Sequence, residues 1–208
     1  PGIQLAAQYD YIYTSVGIHP EEAGSVPANY LETLEHLLAC QKVHAIGEIG
    51  LDYHYPGYDP EQQKTLFCSQ LELAAKHDLP VIMHCRDATG DCMEILRQYR
   101  PKGVMHCFSG SAETARELVA MGLYVGFTGV VTFKNARRAL EAVRAVPMDR
   151  LLVETDCPYM APVPYRGKRC DSSMISMTAG RMAEEKGCTL EEMLRQTGEN
   201  AKRLFSVK

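Results

Sequence analysis

The chain has no tryptophan, no Cys-x-x-Cys pair, no Gly-x-Gly-x-x-Gly fingerprint and no long apolar run. Each absence removes a class. A membrane-spanning helix needs about 18 to 20 unbroken apolar residues and a secretory leader needs a basic patch before its apolar segment; neither pattern occurs, so the sequence reads as a cytoplasmic protein without a membrane contact. The missing glycine fingerprint argues against a dinucleotide-binding open sheet. The eight cysteines, at 40, 68, 85, 92, 107, 157, 170 and 188, lack the spacing of a zinc module and are expected to be reduced, buried thiols. An excess of positive charge is also absent. With 22 basic and 26 acidic side chains the formal charge is −4, so any contact with nucleic acid has to be local.

What remains is ample material for a core. Of 208 residues, 46% are hydrophobic, and the 16 glycines and 11 prolines follow no period, which leaves a single globular domain over 1–208 as the expectation. Short apolar runs rich in β-branched or aromatic residues predict six strands at Tyr11–Ile18, Val43–Leu51, Leu79–Cys85, Gly103–Phe108, Leu123–Gly129 and Arg150–Thr155. Amphipathic stretches predict helices at Ala28–Gln41, Pro60–Lys76, Asp91–Tyr99, Ala112–Met121, Asn135–Val146, Ser173–Lys186 and Thr189–Phe205. Asp59, Pro60 and Glu61 form a helix start, with a capping residue, a first-turn proline and an acid near the positive helix end. This alternation indicates an α/β fold with a parallel sheet, either open or closed as a (β/α) barrel.

The position of the polar residues favours the barrel. Glu48 lies late in its run, His84 and His106 near the ends of theirs, and Asp156 just past the last. A parallel barrel gathers its strand C-termini on one face, where two imidazoles and two carboxylates would suit Zn, Mn or Mg. Any one of these residues alone reads as a cap or a satisfied core polar group; four in the same placement point to a metal site. Strand parity turns Cys85 and Cys107 away from their ligand neighbours, towards the helix layer. Arg86, two places after His84, is a candidate for a substrate phosphate or carboxylate, with a salt bridge to Asp87 as the plain alternative. His19, followed by Pro20, is a candidate for the mouth of the site. His36, His44 and His77 read as surface or packing residues; His54 sits in the loop YHYPGYDP, whose tyrosines could line a substrate cleft or cover the barrel rim, and the rim is the favoured reading.

The segments VGIHP (16–20), GEIGLDY (47–53), HCRDA (84–88), HCFSG (106–110), ETDCP (154–158), YRGKR (165–169) and TGENAKRLF (197–205) resemble, in order and spacing, the TatD family of metal-dependent deoxyribonucleases. The resemblance runs from about residue 10 to the end. It implies a (β/α) barrel of TIM type, one or two divalent ions, and Glu48, His84, His106 and Asp156 as metal ligands. Glu48 would bridge two ions and Asp156 would orient or deprotonate the attacking water. DNA, single-stranded or at its ends, would be the substrate. The family opens with a strand ending in His-x-His, which this chain does not contain, and its first visible run matches the family's third strand. The barrel is therefore expected to be incomplete, about six of eight strands, with one ion kept by Glu48, His84 and His106 and a weakened second position. Exposed sheet edges would call for a homodimer or a covering segment. Two alternatives remain: an amide or ester hydrolase on the same ions, or a metal-binding chain with little or no activity.

Overall fold

The computed structural model describes residues 1–208. Contacts divide the chain into two compact units, Pro1–Val104 with Leu204–Lys208, and Met105–Arg203. In the first, α1 (Gly2–Gln8), β1 (Thr14–Val16), a 3-10 turn (Pro20–Ser25), α2 (Tyr30–Leu38), β2 (Val43–Asp52), α3 (Pro60–Lys76), β3 (Val81–Arg86) and α4 (Thr89–Tyr99) follow in order, and β4 (Gly103–Met105) begins. In the second lie α5 (Ala112–Ala120), β5 (Tyr124–Phe127), α6 (Arg137–Ala145), β6 (Leu151–Val153), α7 (Ile175–Lys186) and most of α8 (Leu190–Phe205). All six expected strands and seven expected helices are present, mostly trimmed at their ends; α1 is an addition.

The strands pair in parallel, as helix-separated strands must. β2 lies between β1 and β3 in the first unit, and β5 pairs with β6 in the second. Ile46, Ile49, Leu51, Val81 and Met83 are fully buried between layers, which explains the near-continuous apolar runs. Gly50 pairs with His84, and a Cβ at Gly50 would lie 1.9 Å from the His84 carbonyl oxygen. That close approach lets β2 run on to Asp52, so Glu48 is not a strand-end residue: it sits four places earlier. The carboxylate reaches its position by another route. Ile46 pairs with Val81 but Ile49 with Met83, so one extra residue is inserted at Gly47–Glu48. Such a bulge re-aims a side chain locally.

Buried glutamines on α3 fix the loops that follow β1 and β2. Asp59 caps this helix by accepting from the Glu61 and Gln62 N–H groups. Gln63 and Gln70, seven residues and so about two turns apart, then lie on one face. Gln63 accepts from the Asp52 N–H and donates to the Asp52 carbonyl, both at 2.8 Å. Gln70 accepts from the Ile18 N–H at 2.8 Å and donates to the Ile18 carbonyl at 3.1 Å. Each side-chain amide thus imitates a backbone partner where the strand has ended. In the second unit, buried Asn200 of α8 donates to the carbonyls of Met148 and Leu151 and so anchors the start of β6.

The helix α1 packs on the flank of β1. A Cβ at Gly2 would lie 2.5 Å from Thr14 Oγ1, Ala6 is fully buried, and the Lys42 ammonium donates to the carbonyls of Ala6 and Tyr9. No helix is long and apolar enough to cross a membrane. All eight cysteines are free, but burial is less uniform than expected: Cys92 and Cys170 are buried, Cys157 is exposed and the others are intermediate.

Candidate metal-binding clusters

Each unit carries its own group of metal-type donors. In the first, donor atoms of His19, Glu48 and His84 all lie within 4.8 Å of one another. Donors about 2.0 to 2.2 Å from a common zinc-sized ion are separated by about 3.3 to 4.4 Å, so the spacing fits a divalent cation. The bulge supplies Glu48, β3 supplies His84, and His19 follows the loop that Gln70 holds. The rings of His19 and His84 meet edge to face, with centroids 4.6 Å apart. His19 Nδ1 accepts from the Glu21 N–H at 3.3 Å, which orients its ring at the head of the 3-10 turn. Burial, followed by the neighbouring His84 charge, lowers the His19 pKa and favours the neutral imidazole that can donate a lone pair to a metal.

Asp52 holds His84 from behind. Its Oδ2 is 2.8 Å from His84 Nε2, while its Oδ1 accepts from the His54 N–H at 2.9 Å. The carboxylate is 3% exposed. Burial alone would raise its pKa; the His54 and His84 hydrogen bonds and the charges of His84 and Arg86 outweigh that penalty and hold it below the ordinary 3.8. With Nε2–H donating to Asp52, Nδ1 is the His84 nitrogen left to offer a lone pair to a cation.

The second unit repeats the device. His106 Nδ1 lies 2.8 Å from Glu154 Oε2, and His106 Nε2 is 3.7 Å from Asp156 Oδ1. Glu154 also accepts from the Cys107 N–H at 3.1 Å and is itself fixed by its backbone N–H, which donates to the Phe127 carbonyl. Gly126 makes room for the carboxylate, since a Cβ there would lie 2.0 Å from Glu154 Oε1. Donor atoms of His106, Cys107 and Asp156 fall within 4.8 Å of one another.

That last grouping corrects the reading of Cys107. Parity assigned its thiol to the helix layer, but β4 stops at Met105, and Cys107 adopts a left-handed φ of 46° in the following turn. Strand alternation no longer applies there, and the thiol lies beside the candidate donors His106 and Asp156, 3.2 Å from Thr128 Oγ1. Cys85, still on β3, does turn towards α4, where Cys92 and Thr89 neighbour its thiol.

Arg86 does not pair with Asp87, which takes His54 at 2.8 Å. Its guanidinium instead packs over the Tyr55 ring, 5.1 Å from the centroid, and donates to the Tyr55 hydroxyl at 3.4 Å. His36, His44 and His77 bind the Glu32 carbonyl, the Phe205 carbonyl and Glu35, in surface and packing roles as expected. Sequence reasoning did not single out Asp52 or Glu154 as positioning residues. Their signal was present, since each lies within a quoted motif and is an acid at or just past a strand end.

Comparison with known proteins identifies the family. The family model for TatD related DNase covers residues 2–206. The uncharacterized metal-dependent hydrolase YabD of Bacillus subtilis is 46% identical over 208 residues, spanning 99% of this chain and 82% of the relative. The 3'-5' ssDNA/RNA exonuclease TatD of Erwinia tasmaniensis is 36% identical, spanning 99% and 83%. Among solved structures, the TatD homologue YJJV of Escherichia coli superposes with a TM-score of 0.94 at 30% identity, covering 99% of this chain and 81% of that one. An uncharacterized amidohydrolase of Saccharomyces cerevisiae shares the fold, with a TM-score of 0.79 at 19% identity over 98% of this chain and 84% of that one. The parallel α/β fold expected from the strand and helix pattern, and the amidohydrolase-like fold implied by the family resemblance, are those observed, and the chain belongs to the TatD family of metal-dependent hydrolases.

Proposed function

We propose that the protein hydrolyses phosphodiester bonds of single-stranded nucleic acid, with Glu48, His84, His106 and Asp156 as metal ligands. The observation that carries this reading is the repeated pairing of a donor histidine with a buttressing carboxylate, Asp52 behind His84 and Glu154 behind His106. A buttressed imidazole keeps one tautomer and one orientation, which is what a metal ligand needs and a surface histidine does not. Relatives named ssDNA/RNA exonucleases supply the substrate class.

A bound divalent ion would supply Lewis-acid stabilisation of phosphate charge and an acidified water. The chain's own residues do the rest. Asp52 and Glu154 keep the lone pairs of His84 and His106 aimed, and the Glu48 bulge sets the carboxylate among the donors. Asp156 accepts the proton of the attacking water, and Arg86, held on Tyr55, binds a phosphate oxygen. His19 belongs with the candidate donor group by distance, and at the head of the 3-10 turn it would meet substrate at the mouth of the site.

The test is hydrolysis of a labelled single-stranded oligonucleotide with Mg, Mn or Zn, in parent, Glu48→Ala and His106→Ala chains, with metal content measured in parallel. Turnover that falls at least a hundredfold in both variants supports the reading. Equal background rates in parent and variants, or turnover of acyl substrates only, would reject it.

A further inference from the structure

A cavity of about 600 Å³ lies in the first unit beside this cluster, between the 3-10 turn, the Tyr55–Asp59 loop and the start of α3. Asp52 and Pro20 form part of its wall, which places it next to His84 and His19. Two of its lining residues are exposed aromatics, Tyr55 at 54% and Tyr58 at 41%. Both are braced from behind. Tyr58 stacks flat on Tyr53, with centroids 4.6 Å apart and planes 6° from parallel, and the Tyr53 hydroxyl is tied to Asp91 at 2.9 Å. Tyr55 stands edge-on to His54 and carries the Arg86 guanidinium over its ring. Rings held this way lose little freedom when a flat ligand joins the stack.

The charges around the cavity define what can enter. Glu21, Asp52 and Asp59 all line it, so a phosphate would meet repulsion inside, while the cation Arg86 lies on the Tyr55 ring. Asp52 is engaged with His54 and His84, and Asp59 caps α3. Gln63 is engaged with the Asp52 backbone, which leaves Glu21 and Gln62 as the carboxylate and amide of the wall suited to read a ligand edge. A neutral, planar group bearing amino hydrogens fits these surroundings, and its attached phosphate would lie towards Arg86.

We infer that this cavity is a nucleobase subsite: a base of a single strand stacks on Tyr58 and Tyr55, with its amino edge towards Glu21. The inference rests on the phosphodiesterase reading for the identity of the strand, and adds that amino-bearing bases such as cytosine are preferred over thymine. Aromatic platforms of this kind bind bases through their faces, and carboxylates accept from the cytosine amino group.

The experiment is fluorescence anisotropy in EDTA, so that binding is read without hydrolysis, using short fluorescein-labelled oligodeoxycytidylate, oligothymidylate and an abasic strand of equal length. The parent should bind the cytosine strand most tightly and the abasic strand least. Tyr58→Ala should weaken cytosine-strand binding by about 5- to 150-fold, the range of one lost stack, and leave the abasic strand unchanged. Tyr58→Phe should retain affinity, and Glu21→Gln should erase the preference for cytosine. Equal binding of abasic and base-bearing strands, unchanged affinity in Tyr58→Ala and Tyr55→Ala, or no measurable binding of the cytosine strand would overturn the subsite. Base-dependent binding without any metal-dependent hydrolysis would sink the phosphodiesterase reading and leave the subsite standing. Glu48-dependent hydrolysis with Tyr-independent binding would do the reverse.

Discussion

Replacing Asp52 with asparagine changes one atom of a buried side chain, yet leaves no arrangement that satisfies all its neighbours. If the new amide turns its NH₂ towards His84 Nε2, that nitrogen must become an acceptor and the ring proton moves to Nδ1, which removes the lone pair a cation needs. If it turns its oxygen to His84 instead, the NH₂ faces the His54 N–H, now donor against donor. A hydrogen bond to a charged group contributes about 1.5 to 3 kcal/mol, so unfolding should come about 3 to 12 °C earlier in a chain of this size. Loss of a ligand's carboxylate partner typically weakens metal binding 10- to 100-fold, or about 1.4 to 2.8 kcal/mol. Calorimetric titration of the metal-free protein with Zn or Mn, alongside thermal unfolding with and without metal, reads both quantities. Asp52→Asn should lose metal affinity and with it much of the stabilisation that metal confers on the parent. A variant that unfolds earlier but binds metal with the parent's Kd would show that Asp52 only holds the fold, and the tautomer argument would fail. The pH dependence has a fixed sign: because Asp52 titrates below 3.8 in the folded chain, its contribution is complete above that value and is lost as pH falls through the lowered one.

Gly126→Ala should push the flexible Glu154 carboxylate off its seat, costing His106 its partner; metal affinity should fall more than thermal stability, and equal affinity would contradict the assigned role of Glu154. Gln70→Ala leaves the Ile18 N–H and carbonyl without their partner at the entry to His19, at about 1 to 3 kcal/mol for each group that water does not reach, measurable by urea unfolding. Lys42→Ala removes the cation that binds the Ala6 and Tyr9 carbonyls at the C-terminal end of α1, and limited proteolysis should then cleave near residue 10 at rates the parent does not show.

The sequence by itself determined the elements and the chemistry of the donors. Periodicity marked six parallel-type strands, and α3 begins at the expected residue because Asp59 and Pro60 are local signals that need no tertiary partner. The same local logic placed Cys85 correctly, since it remains inside a strand. Tertiary structure decided where that logic stops. Cys107 turned towards the candidate donors His106 and Asp156 because its strand had already ended, a boundary set by pairing and not by composition. Glu48 owes its position to an inserted residue in the β2–β3 register, which no single-strand pattern records. Asp52, Glu154, Gln63 and Gln70 act through partners 11 to 52 residues away, and Tyr58 becomes a platform only when Tyr53 lies flat beneath it. A side chain's identity is written locally, but which lone pair it offers is settled by the group behind it, and that group arrives only when the chain folds.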